Sequence, residues 1–350
     1  MIEKKLEIAL ITYNRSKYLE NTLSQVVESP FATCKITILD NHSTDNTQEV
    51  CKKYQKLFPN MTIIRHEKNI GGNANILRAV ETSKSLYTWI LCDDDEYDFT
   101  DCDDVIEAIK SEEFDIIISY SDNYKDSEKK TIVDLLKEKQ QIKKDKNKNK
   151  KYNYYDYCKT SGRELFGLMG RYYFGIIGFV PAMIYKTELF DSELLIQGYD
   201  NIYNMFPHYP LIYKSLENNV PIYKSKKDIL TRFKDNEVSY SSLRFFNGWF
   251  ESSLLIKNQS DRKIIATGLF KASFLQILIY SIIRNKIEGS KEEFRNEMIT
   301  LTGTILKVKG TFKGILYIIL SLLISLIPKK LGIYLKVKME KIRTNLDNNG

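Results

Sequence analysis

The stretch W-I-L-C-D-D-D-E-Y, Trp89–Tyr97, runs from an apolar segment directly into three consecutive aspartates. The apolar part, Tyr87–Cys92, predicts a short buried strand, so Asp93–Asp95 follow its carboxyl end, where open α/β sheets bind ligands. Carboxylates this close raise one another's pKa unless a cation or hydrogen-bond donors lie among them. Mg²⁺ or Mn²⁺ suits such oxygen ligands and can hold a diphosphate. A solvated acidic loop or a helix N-terminus is the alternative explanation.

Strand-like and helix-like segments alternate through the first 120 residues. Strands are predicted at 6–11, 35–39, 62–65, 87–92 and 114–119, and helices at 17–28, 47–57, 73–83 and 103–110. This βαβα series predicts a mostly parallel sheet covered by helices. Polar clusters follow four of the strands, at 12–15, 40–45, 66–69 and 93–95. Because parallel strands end at one edge of a sheet, the four clusters are expected to converge on one crevice.

The remaining chain divides by composition into three parts. Residues 125–151 are rich in Lys, Asn and Gln, which predicts a flexible basic surface insertion or, alternatively, a basic arm for a membrane or an anionic substrate. Apolar and aromatic residues return in 152–235, which is expected to complete a first domain, 1–235. Residues 236–350 predict a helical second domain.

The run Gly314–Pro328 in that second domain contains no charged residue. As a helix it would be roughly 22 Å long, against roughly 30 Å for the hydrocarbon core of a bilayer. Lysines flank it on both sides, at positions 307, 309, 313, 329, 330, 336 and 338. This pattern favours an element embedded at an anionic membrane face, with a buried core helix as the alternative.

Composition and spacing exclude several other classes of protein. The 350-residue chain carries a formal net charge of +7, and its charged start, Met1–Glu7, does not resemble a signal peptide. Five cysteines without a C-x-x-C pair predict reduced thiols in a cytoplasmic protein. G-G-N-A-N at 71–75 lacks the G-x-G-x-x-G spacing of a dinucleotide site. Counted from Asp93, the acidic stretch lacks the Gly and Glu of an EF-hand loop.

Together, the four polar clusters resemble the motifs of the inverting family 2 glycosyltransferases of GT-A fold, over roughly residues 5–235. The resemblance implies a Rossmann-like, mostly parallel sheet flanked by helices, followed here by a helical membrane-associating region. It implies a metal, Mg²⁺ or Mn²⁺, bound by Asp93 and Asp95, and a base-contacting role for Asp40. It also implies that a nucleotide-sugar donor is bound by Thr12, Asn14, Arg15, Asp40, Ser43, Asp45, Asn69, Gly71, Gly72, Asp93 and Asp94.

Elementary chemistry agrees with part of this assignment. Glycine and asparagine between a strand and a helix let backbone N–H groups face a diphosphate, and the helix N-terminus adds partial positive charge. An ordinary turn role for Asp40 and a helix-capping role for Asn73 remain the alternatives.

The chain departs from the resemblance at the catalytic base. Many family members carry a Glu-Asp or Asp-Glu pair before a helix, whereas Phe206–Tyr209 occupies the comparable place here. His208 would therefore stand where the base stands, and a neutral imidazole can serve. It could instead ligate the metal or be structural. Asp200 is the second candidate for the base.

The resemblance thus implies an enzyme that moves a sugar from a UDP-, dTDP- or CDP-linked donor to a glycan or lipid-linked acceptor. Bacterial surface polysaccharide assembly at the cytoplasmic face of the inner membrane is the expected setting, and no nucleic-acid partner is expected. One alternative is a sugar nucleotidyltransferase, although T-Y-N-R-S-K lacks the glycines of its phosphate loop. The other is a non-catalytic, membrane-bound nucleotide-sugar-binding partner.

Overall fold

The computed structural model describes residues 1–120, 159–165, 179–233, 242–262, 264, 272–309 and 312–347. The basic insertion predicted at 125–151 lies outside the described residues. Contacts divide the chain into two compact units. The first contains the described residues of Met1–Leu168, Tyr172–Tyr203 and Pro207–Asp235, and the second contains those of Asn204–Phe206 and Asn236–Gly350.

The first unit is an α/β structure. In chain order, strands β1 to β10 are Leu6–Thr12, Lys35–Asp40, Met61–Arg65, Tyr87–Cys92, Asp95–Tyr97, Ile116–Ile118, Lys159–Ser161, Met183–Lys186, Pro221–Lys224 and Leu230–Phe233. Its helices α1 to α6 are Ser16–Val27, Thr47–Leu57, Gly72–Thr82, Asp103–Ser111, Ser192–Asp200 and Tyr209–Glu217. The predicted alternation of strands and helices up to residue 111 is confirmed, with bounds that differ by one or two residues.

Eight strands form one mixed sheet in the order β3-β2-β1-β4-β8-β6-β9-β7. Strands β3, β2, β1 and β4 are mutually parallel, β8 runs antiparallel between β4 and β6, and β9 is parallel to β6. The predicted mostly parallel sheet is thus confirmed. In its register Thr12 lies opposite Asp40, and Ile11 lies opposite Cys92. The polar clusters after β1, β2 and β4 therefore begin at the same level of the sheet.

The strand that carries the acidic cluster is anchored by a buried aromatic group. Trp89 of β4 packs edge-on against Phe31 and Phe99, with ring centroids 5.5 and 6.0 Å apart. Its indole N–H donates to the carbonyl oxygen of Pro181 over 2.9 Å, so the polar edge of the ring is satisfied. Truncating a buried tryptophan typically costs about 3–5 kcal/mol. The end of β4 consequently rests on a rigid part of the core.

Asp95 does not lie in a loop. It begins β5, which pairs antiparallel with β10 in a separate two-stranded sheet, with Asp95 opposite Phe233. This pairing joins residues far apart in the chain, and the local pattern of residues 93–97 does not predict it.

The second unit is helical. Helices α7 to α11 are Ser242–Ser253, Ala272–Glu288, Lys291–Lys309, Phe312–Ser325 and Lys329–Asp347. Helix α8 packs against α7, α10 and α11, and α9 packs against α7 and α10. Across the described helices, none taken singly is long and apolar enough to cross a membrane. The segments Ile318–Ser325 and Lys329–Met339, joined by a bend of 114°, pass that test of length and composition only as a pair.

Candidate functional site

Asp93 directly follows β4, and its buried carboxylate lies beside the end of β1. The hydroxyl of Thr12, the last residue of β1, donates to Asp93 Oδ2 over 2.6 Å. The hydroxyl of Thr22 in α1 donates to the main-chain oxygen of Asp93 over 2.9 Å. Burial, together with the charge of Asp94, raises the pKa of Asp93 to about 7 despite the bond from Thr12. The contacts therefore hold Asp93 toward β1.

Arg15 joins the cluster after β1 to the aspartates after β4. It precedes α1 and forms an ion pair with Asp94. Its guanidinium also lies 3.6 Å from the carboxylate of Asp93. Both Arg15 and Asp94 are partly exposed, so water weakens the pair. The arrangement places one positive charge next to two of the three carboxylates.

Asp95 is the third carboxylate of the acidic turn. Its side chain is 3% exposed, and no hydrogen-bond partner is found for Oδ1 among the residues that the structure describes. Oδ2 receives a long contact of 3.5 Å from the Tyr97 hydroxyl. Burial, followed by the charges of Asp94 and Asp93, raises the pKa of Asp95 to about 8. A buried acceptor without a partner destabilises the folded state by about 1–3 kcal/mol. A hydrogen-bond donor or a cation that binds this oxygen would remove that cost.

Three side chains of the acidic turn could hold a cation. The Sγ of Cys92 and one carboxylate oxygen each of Asp94 and Asp95 lie within 4.8 Å of one another. Two carboxylates suit Mg²⁺ or Mn²⁺, and a thiolate would add a softer ligand. The family resemblance implies Asp93 and Asp95 as the ligand pair, whereas this geometric group contains Asp95 with Asp94 and Cys92. Asp93 is outside this group, and one of its oxygens accepts the hydrogen bond from Thr12.

Sequence reasoning overlooked Cys92 and Tyr97, which together shape the acidic turn. The Tyr97 hydroxyl lies 3.1 Å from both the main-chain nitrogen and the main-chain oxygen of Cys92. The backbone N–H of Tyr97 donates to Gln25 Oε1 of α1 over 2.8 Å. The position of Cys92 immediately before the aspartates was the available signal.

The loops after β1 and β2 are bound to each other. The N–H of Asn14, a residue with φ of 51°, donates to Ser43 Oγ over 2.9 Å, and the N–H of Thr44 donates to Asn14 Oδ1 over 2.7 Å. The N–H of Ser16 donates to Asp45 Oδ2 over 2.9 Å. Burial favours a higher pKa for Asp45, but its hydrogen bonds outweigh that effect and lower the pKa. Asn14, Ser43 and Asp45 thus fix the shape of this part of the crevice.

Asp40 is fully buried and engaged within the protein. Its carboxylate accepts hydrogen bonds from the Ser43 N–H over 2.9 Å and from the Gln48 side chain, and Arg65 Nε lies 3.4 Å away. Asp40 thus supports the turn that carries Ser43, and the base-contacting role that the resemblance implies stays a prediction.

Asn69, Gly71 and Gly72 lie between β3 and α3. The N–H of Gly71 donates to Asn69 Oδ1 over 2.8 Å, and Asn41 Nδ2 donates to the same oxygen over 2.9 Å. Gly71 has φ of 86°, a conformation that side chains disfavour, and it precedes the first residue of α3, Gly72. A Cβ on either glycine would meet nothing within 4 Å. The N-terminus of α3 therefore borders open space, as anion binding requires. Asn73 does not cap α3; its amide donates to the Ile202 carbonyl oxygen over 2.7 Å.

The two candidates for the base lie in different surroundings. His208 precedes α6, is 6% exposed, and borders a cavity of about 20 Å³ whose other walls are apolar or aromatic: Ile90, Ile116, Val180, Met183, Tyr185, Phe190, Leu211 and Ile212. Asp200 is the last residue of α5 and is exposed. The polar clusters after the strands are thus brought together, while His208 faces an apolar cavity.

Comparison with known proteins is consistent with this geometry. Residues 7–167 match the family model described as glycosyl transferase family 2. The dTDP-rhamnosyl transferase RfbG of Shigella flexneri is 30% identical over 139 residues, 38% of this chain and 48% of that protein. The putative teichuronic acid biosynthesis glycosyltransferase TuaG of Bacillus subtilis is 27% identical over 92 residues, 26% of this chain and 36% of that protein. The chain therefore spans less than half the length of either relative.

A similarity in fold extends over more of the chain. The structure of S. aureus TarS 1-349 superposes with a TM-score of 0.55 and 18% identity, covering 87% of this chain and 81% of that one. At this identity the match shows the fold alone. Residues 7–167 therefore belong to glycosyl transferase family 2, and the chain carries a glycosyltransferase domain with a GT-A-like fold.

Proposed function

We propose that the protein transfers a sugar from a nucleotide-sugar donor to a saccharide or lipid-linked glycan during the assembly of a bacterial surface polysaccharide. The family match and the names of the relatives support this class of reaction, because RfbG is named a rhamnosyl transferase and TuaG a teichuronic acid glycosyltransferase. The observation that carries the proposal is the buried Asp95 oxygen in the acidic turn, which has no hydrogen-bond partner within the described part of the chain.

The donor site is proposed to use two parts of the crevice. The loop that contains Asn14 and Ser43 would bind the nucleoside, which is UDP-, dTDP- or CDP-linked. Backbone N–H groups at Gly71, Gly72 and the first turn of α3 would bind the diphosphate. TarS has been solved with UDP-GlcNAc and with UDP, which supports a nucleotide-sugar ligand for this fold.

Asp94 and Asp95, together with Cys92, are the residues proposed to hold Mg²⁺ or Mn²⁺. Such a metal, when bound, would neutralise the charge that develops on the departing diphosphate. Arg15 would then add a second positive charge on the same side of the donor, because it already lies against Asp94.

An acceptor hydroxyl is proposed to attack the anomeric carbon directly, which inverts its configuration. His208 is the proposed base, since it occupies the place of the family's carboxylate. A cavity of about 20 Å³ holds about one water molecule, so a sugar hydroxyl could reach His208 only if the cavity opens. Asp200 is the alternative base, because its exposed carboxylate requires no such opening.

A thermal-shift screen tests the donor proposal directly. The full chain is heated with a panel of nucleotide sugars in Mn²⁺ or in EDTA, because a ligand at 100 times its Kd stabilises a protein by about 2.7 kcal/mol. We expect one class of donor to raise the melting temperature, with loss of the shift in Asp95→Asn and retention in the control Asp98→Asn. Asp98 is a partly exposed carboxylate paired with Lys227. The absence of any donor-dependent shift in the native protein would refute the proposal.

A further inference from the structure

The second unit exposes an apolar stripe along α10. Ile315, Ile319, Leu322 and Leu323 follow the i, i+4, i+7 and i+8 spacing of one helix face, and Leu326 continues the stripe just beyond the helix end. Between 46% and 75% of each of these side chains is exposed. Ser321 and Ile324 of the same segment are buried. The described part of α10 thus turns large aliphatic side chains outward as well as inward.

The first half of α11 continues this exposed surface. Its apolar side chains Leu331, Ile333, Tyr334 and Val337 are 46–62% exposed. Gly332 faces the opposite way, since a Cβ there would lie 3.6 and 3.8 Å from side-chain atoms of Ile287 and Ile283 on α8. We call the exposed residues of α10, Leu326 and the first half of α11 the apolar face.

Side chains of α8 contact the connection between α10 and α11. Lys286 Nζ donates to the carbonyl oxygens of Ser325 and Ile327, which belong to the bend between α10 and α11. Lys336 of α11 forms an ion pair with Glu288, also of α8. These polar contacts fix the bend and the inner side of α11. The apolar face is therefore exposed even though both helices are packed against α8.

The segment that carries the apolar face has charges of one sign. From Phe312 to Met339 the chain contains five lysines and no acidic residue. Lys329, Lys330 and Lys338 are exposed beside the apolar residues of α11. Lysines bordering an aliphatic surface complement a bilayer with anionic headgroups, where the aliphatic groups enter the acyl region and the ammonium groups meet the phosphates. Helix α10, about 21 Å long, is shorter than the roughly 30 Å hydrocarbon core, which favours a position in the interface.

We propose that the apolar face docks into the surface of an anionic lipid bilayer. This inference rests on the helical unit alone and does not depend on the proposed sugar transfer. A second copy of the chain is the competing occupant. A symmetric interface between two copies would place the lysines of one copy against the same lysines of the other, and these charges repel.

Vesicle flotation with the full chain tests the proposal. Vesicles of phosphatidylcholine alone are compared with vesicles that also contain phosphatidylglycerol. We expect binding to the anionic vesicles, and a loss of about tenfold or more in Leu323→Glu/Leu326→Glu. The matched control, Leu57→Glu/Ile196→Glu, adds the same charge at exposed aliphatic positions of the first unit and should bind like the native protein.

A second pair of variants tests the lysines. Lys329→Gln/Lys330→Gln/Lys338→Gln should weaken binding to anionic vesicles by about tenfold or more and leave circular dichroism unchanged. Lys52→Gln/Lys56→Gln, which removes exposed charges from α2, should not. Binding of Leu323→Glu/Leu326→Glu equal to that of the native protein would overturn the proposal. So would native protein that fails to float and whose dimer, measured by light scattering, is dissociated by the same variant.

Discussion

The hydroxyl of Thr12 donates a 2.6 Å hydrogen bond to the carboxylate of Asp93, and this contact joins the ends of β1 and β4. Two polar clusters separated by about eighty residues of chain thereby become one site. The bond also occupies the Asp93 oxygen that faces β1. The family resemblance implied that Asp93 and Asp95 bind the cation, and that pair stays a prediction, while the group proposed from the geometry is Asp94, Asp95 and Cys92.

The stability of the protein should fall as the pH rises from about 4 to about 8. Asp93 and Asp95 have pKa values of about 7 and about 8 in the folded protein, above the ordinary value of 3.8. The folded state therefore binds more protons than the unfolded state in this window, and deprotonation favours unfolding. Chemical denaturation in EDTA across this range measures the effect. Asp95→Asn should flatten the slope, whereas Asp98→Asn should leave it unchanged above pH 5. A native slope equal to that of Asp95→Asn would remove Asp95 as a cause.

Cys92→Ser should weaken the binding of Co²⁺ or Mn²⁺ by about tenfold or more, because a thiolate ligand is replaced by a poorly ionised hydroxyl. Co²⁺ titration has a readout apart from turnover, since a thiolate–cobalt bond absorbs in the near ultraviolet. That band should appear in the native protein and be absent in Cys92→Ser. The control is Cys102→Ser, whose buried thiol bonds the Phe99 carbonyl oxygen. Identical spectra for native protein and Cys92→Ser would limit the ligands to the carboxylates.

Arg15→Gln should separate donor binding from metal binding. The substitution removes the cation that pairs with Asp94, so Mn²⁺ affinity should stay equal or rise while donor affinity falls about tenfold. Calorimetric titration of Mn²⁺ alone and of donor with Mn²⁺ measures both. Lys53→Gln is the control, since Lys53 of α2 forms an exposed ion pair with Glu20 of α1. A parallel loss of both affinities would show that Arg15 instead supports the shape of the acidic turn.

His208→Asn should lower sugar transfer by roughly 10²- to 10⁴-fold while donor affinity stays within about twofold, because a general base acts on the acceptor hydroxyl. The same measurements on Asp200→Asn decide between the two candidates. Melting temperatures of both variants are recorded, since His208 is buried and Asp200 is exposed. A large loss of transfer in Asp200→Asn, with His208→Asn only less stable, would assign the base to Asp200.

Much of the first unit follows from local patterns. The buried positions of α1, Leu19, Thr22, Leu23 and Val26, repeat at helical spacing, and the bounds of α2 and β4 agree with those predicted. Apolar periodicity predicts such elements because the position of a residue within its own strand or helix decides whether its side chain faces the core. The antiparallel β8 between β4 and β6 could not be predicted in this way, since its four residues carry no signal that identifies distant partners.

The sequence by itself determined that polar residues follow four strands and that three aspartates end β4. Only the tertiary structure decided how these residues divide their roles: Asp93 binds Thr12, Asp94 pairs with Arg15, Asp40 is buried under its own turn, and Asp95 retains an oxygen without a partner among the described residues. The physical reason is that a side chain's partners come from loops distant in sequence. Strand pairing brings those loops together, and burial then sets the energetic cost of every oxygen left unpaired.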